Sequence, residues 1–203
     1  MDHPLVLLLM TIAGIYTGKL WLDDKRAAEA RNENPRALPG AVPAPRNAII
    51  FAVTGAIAIL AVETIGEIQL GLAAEQSRMT WVFALYSVAA APLIEELIFR
   101  GWLVVEGKGR ALLWIGAVGA SIGFALLHPF LWRWDSAGFA LTLGAKGWFS
   151  TMIVFATSLW LYAARFAVWN PQRSLLPCFA AHAAKNLGVV VVKAATGFMG
   201  AWW

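Results

Sequence analysis

The chain carries a single cysteine, Cys178, in 203 residues, and only 14% of its residues are charged. One thiol cannot build an internal disulfide framework, so Cys178 is read as packing. A soluble domain holds about 25% charged and about 45–50% apolar residues. Here the apolar share is 60%, which excludes an ordinary soluble domain and points to a polytopic membrane protein. Nucleic-acid binding is excluded as well: the net charge is only +4, and the basic residues fall between apolar runs, where membrane topology places them. Internal repeats and low-complexity tracts are lacking. So are a basic n-region and a small-residue cleavage site around Leu5 to Leu22, and that stretch is read as a retained span.

What the chain does have is long apolar runs. A span needs about 20 mostly apolar residues, and about six stretches qualify: Leu5–Leu22, Asn47–Ile65, Met79–Val105, Ala111–Leu131, Trp148–Trp169 and Leu175–Met199. The expected fold is all-α, a polytopic helix bundle forming a single membrane domain over 1–203. Pro92 predicts a kink or break in the long third span. Every tryptophan except Trp160 lies near a proposed span end, as interfacial belts require. Loops one, three and five hold most of the Lys and Arg, which assigns them to the cytoplasm. Loop one, 23–46, is basic and turns proline-rich at Pro35, Pro39, Pro43 and Pro45; composition makes it a solvated connector.

Against this background a few polar side chains stand out, because an ionised group at bilayer depth costs roughly 2.5–3.5 kcal/mol. The third span contains EELIFR. In a helix Glu96 and Arg100 are four residues apart and share a face, so their pairing lowers that cost. Glu95 points about 100° away and has no local cation. A carboxylate without a counter-ion in low-dielectric surroundings suits general acid or base chemistry near neutral pH. The fourth span contains FALLH, with Phe124 and His128 expected one above the other on a helix face. The sixth contains HAAKN, with His182 and Asn186 related in the same way. Each feature alone has a plain structural reading, as interhelical glue or a packing ion pair. Their coincidence on three spans predicts a polar pocket inside the bundle. Lys185, beside Asn186, is expected to snorkel or to oppose an acid. Lys193 and Glu63 lie deep enough to pair with each other.

EELIFR, FALLH and HAAKN match, in order, the EExxxR, FxxxH and HxxxN patterns. On these motifs the chain resembles the CPBP family of intramembrane proteases, which includes the CAAX prenyl protease Rce1 and bacterial bacteriocin-processing and self-immunity proteins. The resemblance covers about Met79 to Val192. It implies a catalytic core at 79–192 preceded by two further spans in 1–78. It also implies roles: Glu95 activates water, His128 helps to hold it and shuttle protons, and His182 with Asn186 forms an oxyanion hole. Glu96 and Arg100 would be the supporting ion pair, and Phe124 would pack beside the site. Peptide hydrolysis needs such a base, a located water and donors for the tetrahedral oxygen.

Other readings compete with this one. Glu95, His128 and His182 also match a two-His, one-carboxylate zinc set, but the zincin H-E-x-x-H helix is lacking and Asn186 is a poor zinc ligand. The family resemblance also leans toward metal-free hydrolysis with no cofactor, which is the reading preferred. A non-catalytic binding or immunity protein on the same scaffold is a second alternative, although every motif residue is kept. A proton-coupled transporter lacks the expected repeated halves and paired broken helices. The expected partners are a membrane-associated peptide or protein substrate and the lipid bilayer, in a bacterial cytoplasmic membrane.

Overall fold

The structure is a computed structural model that describes residues 3–32, 34–136 and 138–202. Six helical segments are long and apolar enough to cross a membrane. They are α1 (Pro4–Glu29), α2 (Arg46–Gln69), a composite third segment (Trp81–Trp102), α5 (Arg110–Leu127), α6 (Ala145–Phe166) and α7 (Leu176–Ala195). The third comprises α3 (Trp81–Ala89), α4 (Ala91–Glu96) and a π-helical run, Leu97–Trp102. The six expected spans are all present, with ends shifted by a few residues. One short hairpin, β1 (Trp132–Asp135) against β2 (Gly138–Leu141), joins α5 to α6 and sets Trp132 opposite Leu141.

The bundle packs through small residues, because lipid supplies no hydrophobic drive between helices and close approach must supply it. Ala48, Ala52 and Ala56, one turn apart on α2, are fully buried where α2 packs against α6 and α7. A side-chain carbon at Gly55 would lie 2.1 Å from the Trp160 ring, so only glycine admits that indole. Trp160 Nε1 then donates to the Ala52 carbonyl at 2.8 Å, which explains the one tryptophan found mid-span. At Gly14 an added carbon would sit 2.5 Å from Ala90 Cβ, so α1 presses directly on the break in the third span. Cys178 is buried, as expected, against the Leu161 carbonyl. Leu8, Ile12, Ile115 and Leu126 face outward, as acyl chains require.

Loop one corrects the expectation of a solvated connector. Its second half folds back as a plug on the end of the bundle. Asp24 accepts from the Leu38 amide at 2.8 Å, and Trp21 Nε1 donates to the Pro39 carbonyl at 3.1 Å. Ala41 joins the core with Leu97, Leu175 and Phe179. Gly40, at φ +62°, accepts from the Leu175 amide at 3.1 Å. The prolines thus shape a packed turn, and their composition alone did not separate that from a tether.

Candidate active site

The third segment bends where the sequence demands it. Thr80 caps α3, its hydroxyl accepting from the Phe83 amide at 3.2 Å. The helix stops at Ala89 because Pro92 has no N–H to return to the Val88 carbonyl, and Ala90 leaves helical geometry at φ −122°. After α4 the chain widens into the π-helical turn, closed by the Leu103 amide on the Ile98 carbonyl at 2.9 Å. Tyr162 on α6 braces this turn, donating to the Phe99 carbonyl at 2.6 Å. Short π-helical stretches of this kind occur often at functional sites.

The turn places Arg100 in a dry, multidentate socket. Glu96 and Arg100 are both 0% exposed, with Nη1 3.0 Å from Glu96 Oε1. Nη2 donates to the Ser158 carbonyl at 3.0 Å and its hydroxyl at 2.5 Å. Ser158 in turn donates to Ser121 at 2.8 Å. The guanidinium lies 4.8 Å from the Phe124 ring centroid and 5.0 Å from that of Tyr162, a cation–π sandwich. The expected ion pair is present, but Glu96 does more than pair with Arg100. Its Oε1 also meets His182 Nδ1 at 2.8 Å. His182 Nε2 faces Glu95 Oε2 at 3.8 Å. One imidazole therefore stands between the two acids, and Glu95, 26% exposed at its side chain, has an aromatic neighbour that its own segment did not reveal.

Phe124 is the hub on the opposite wall. Its ring is 4.8 Å from the His128 ring and 6.5 Å from that of His182. The sequence placed His128 on the same helix face as Phe124. Instead α5 ends at Leu127 and His128 is its C-cap, with extended backbone at ψ 129°. The helix stops there because chain reversal into the hairpin begins: the Phe130 amide bonds the His128 carbonyl at 2.8 Å. His128 Nδ1 turns back to the Phe124 carbonyl at 2.8 Å, and Phe130 stacks on the ring with centroids 5.8 Å apart. Just past the spanning helix, burial pushes the His128 pKa down, which keeps the ring neutral near pH 7.

His128, His182, Asn186, Phe124 and Lys185 line one small cavity of about 50 Å³, closed by Val154, Thr157 and Leu161 of α6. That is room for a water molecule held by several polar partners. Asn186 Nδ2 donates to the Ser87 carbonyl at 2.7 Å and retains a second N–H. Lys185 opposes an acid, one of its two expected fates: Nζ is 2.7 Å from Glu63 Oε2. The Glu63–Lys193 pair that depth alone allowed does not form. Lys193 donates instead to the Ser77 carbonyl at 2.6 Å, because it lies eight residues beyond Lys185, about 12 Å along the helix. Nearer the membrane surface, Glu67 pairs with Lys146. The third span, α5 and α7 thus bring Phe124, His128, His182 and Asn186 to one cavity, while Glu95, Glu96 and Arg100 lie off its lining; Glu95 and Glu96 adjoin it through His182. Ser158, Ser121, Tyr162 and Ser87 complete the surroundings, but no pattern in the sequence separated them from ordinary small interhelical residues. Among the described residues no three His, Cys, Asp or Glu groups gather closely enough to hold a metal ion, so the zinc arrangement of Glu95, His128 and His182 gains no support and no step is routed through it.

Comparison with known proteins gives one positive result. A family model described as type II CAAX prenyl endopeptidase Rce1-like matches residues 77–188. No curated protein and no solved structure matches the chain. The family match spans more than half of the 203 residues and includes all three motifs; the chain belongs to the Rce1-like family of membrane proteases.

Proposed function

We propose that this family member is an intramembrane endopeptidase that hydrolyses a peptide bond in a membrane-associated substrate with a glutamate-activated water. The observation that carries the reading is His182 standing between Glu95 and Glu96 at the edge of a water-sized cavity. Glu95 takes a proton from the water as its oxygen attacks the scissile carbonyl carbon. The tetrahedral oxyanion accepts from His182 and Asn186. Glu95 then passes the proton to the leaving nitrogen as the C–N bond breaks, which yields an acid and an amine. Neutral His128 helps to hold the water. Glu96 is an acceptor already bonded by Arg100, so His182 donates to it through Nδ1 and presents Nε2 toward Glu95. Glu96, Arg100 and Phe124 keep that ring in place.

In this reading the chain is a single membrane domain with its catalytic core at 79–192, supported by the two spans of 1–78, in a bacterial cytoplasmic membrane. The test is a deletion strain. A membrane-associated polypeptide accumulates uncut, wild-type protein restores its processing, and Glu95→Gln does not. Restoration by Glu95→Gln to the wild-type level overturns the proposal.

A further inference from the structure

The hairpin between α5 and α6 keeps its two faces apart. Trp132 stands opposite Leu141 and Trp134 opposite Phe139, so these four side chains share one face, and Arg133 and Ala140 take the other. The rings of Trp132 and Trp134 each lie 6.3 Å from that of Phe139. The face is open: Trp134 is 76%, Leu141 64% and Phe139 58% exposed. It also continues a surface that acyl chains already cover. Trp132 Nε1 donates to the Leu126 carbonyl at 2.8 Å, on the last turn of α5, where Leu126 and Leu127 face outward.

The backbone limits how deep such a face can sit. The Thr142 amide bonds the Leu131 carbonyl at 2.8 Å. Alternation along an antiparallel pair then turns the N–H and C=O groups of Trp132, Trp134, Phe139 and Leu141 away from the partner strand. Among the described residues none of these groups meets a backbone partner beyond the hairpin. Open strand edges are not tolerated in hydrocarbon, whereas water and headgroups satisfy them. A tryptophan-rich apolar surface in turn favours the membrane boundary over bulk water. The two constraints together leave the headgroup layer.

The root of the hairpin belongs to the candidate active site. Thr142 bonds that root a second time, its hydroxyl donating to the Phe130 carbonyl at 3.3 Å. The Phe130 ring lies nearly parallel to that of His128, at 17°. Hairpin, Phe130 and His128 thus form one connected piece.

We propose that the β1–β2 hairpin is an interfacial anchor: its aromatic face lies in the headgroup layer of the bilayer and, through Phe130, holds the His128 ring at the cavity. The anchor does not rest on the endopeptidase reading; only its use in catalysis does.

The experiment places full-length protein carrying Cys178→Ala in phosphatidylcholine liposomes and attaches a bimane at Phe139→Cys, Ala140→Cys or Leu141→Cys in turn. The expected result alternates along the strand. Labels at the Phe139 and Leu141 positions are quenched more by a lipid doxyl group near the headgroup than by one near the acyl end, and the label at the Ala140 position is quenched by aqueous iodide. Equal iodide quenching at all three positions, stronger quenching from the acyl end, or quenching by neither, as under a second copy of the chain or a bound polypeptide, overturns the proposal. A second measurement reads His128 itself. Trp134→Ser and, independently, Phe139→Ser should raise diethylpyrocarbonate modification of His128, followed by peptide mass, about tenfold at an unchanged unfolding midpoint. Modification unchanged in both folded variants also overturns it. Neither measurement uses cleavage, so both results stand if the protein cuts no membrane polypeptide.

Discussion

Among the described residues, two of the acid–base pairs carried by helical segments, Glu96–Arg100 and Glu63–Lys185, are built differently. Glu96–Arg100 is sealed: neither side chain is exposed, and the guanidinium is shared among Glu96, Ser158 and two aromatic rings. Glu63–Lys185 is a single contact of 2.7 Å, with the carboxylate 20% exposed. The sealed pair is also the less satisfied, since Glu96 Oε2 and Arg100 Nε have no protein partner. Replacing such a pair by apolar residues is often neutral or stabilising, so stability alone gives little reason to build it. Its other contact, Glu96 to His182, gives a functional one: the socket fixes the ring that faces Glu95. The open pair touches the same cavity through Lys185, and its carboxylate is partly exposed.

Breaking one partner of each pair tests this contrast. Arg100→Met leaves Glu96 sealed and uncompensated, and a loss of about 3–5 kcal/mol is expected. Equilibrium unfolding in mixed detergent micelles measures it; a wild-type midpoint contradicts the sealed-socket account. Next in size is Asn186→Ala, where turnover of the processed polypeptide should fall by about 10²–10³. A rate within threefold of wild type removes the amide from the oxyanion site. Ser158→Ala deletes one charge-assisted bond to Arg100 and should lower stability by about 1.5–3 kcal/mol, read by the same titration. The smallest effect belongs to Glu63→Gln, about 1 kcal/mol, because the amide oxygen still accepts from Lys185 and the carboxylate position is 20% exposed. A loss as large as that of Arg100→Met abolishes the distinction between the two pairs.

Much of this was legible in the sequence, and the reasons differ from element to element. Apolar length alone predicted six spans, because a bilayer demands about 20 apolar residues per helix. Helical spacing found Glu96–Arg100, since four residues make one turn. It failed at His128, where the helix ends one residue earlier and the ring returns to the Phe124 carbonyl. Spacing is also silent between segments. The contact of His182 with Glu96 joins residues 86 apart, and Lys185 chose Glu63 over a surface position only once α2 and α7 packed together. The π-helical turn left no mark apart from the nearby Pro92, and the packed half of loop one read like any proline-rich tether.

The account depends most on Glu95. Purified Glu95→Gln protein, assayed on the polypeptide that accumulates in the deletion strain, should cleave about 10²–10⁴ times more slowly than wild type while unfolding at the same detergent midpoint. Cleavage at the wild-type rate by that folded variant contradicts a glutamate-activated water.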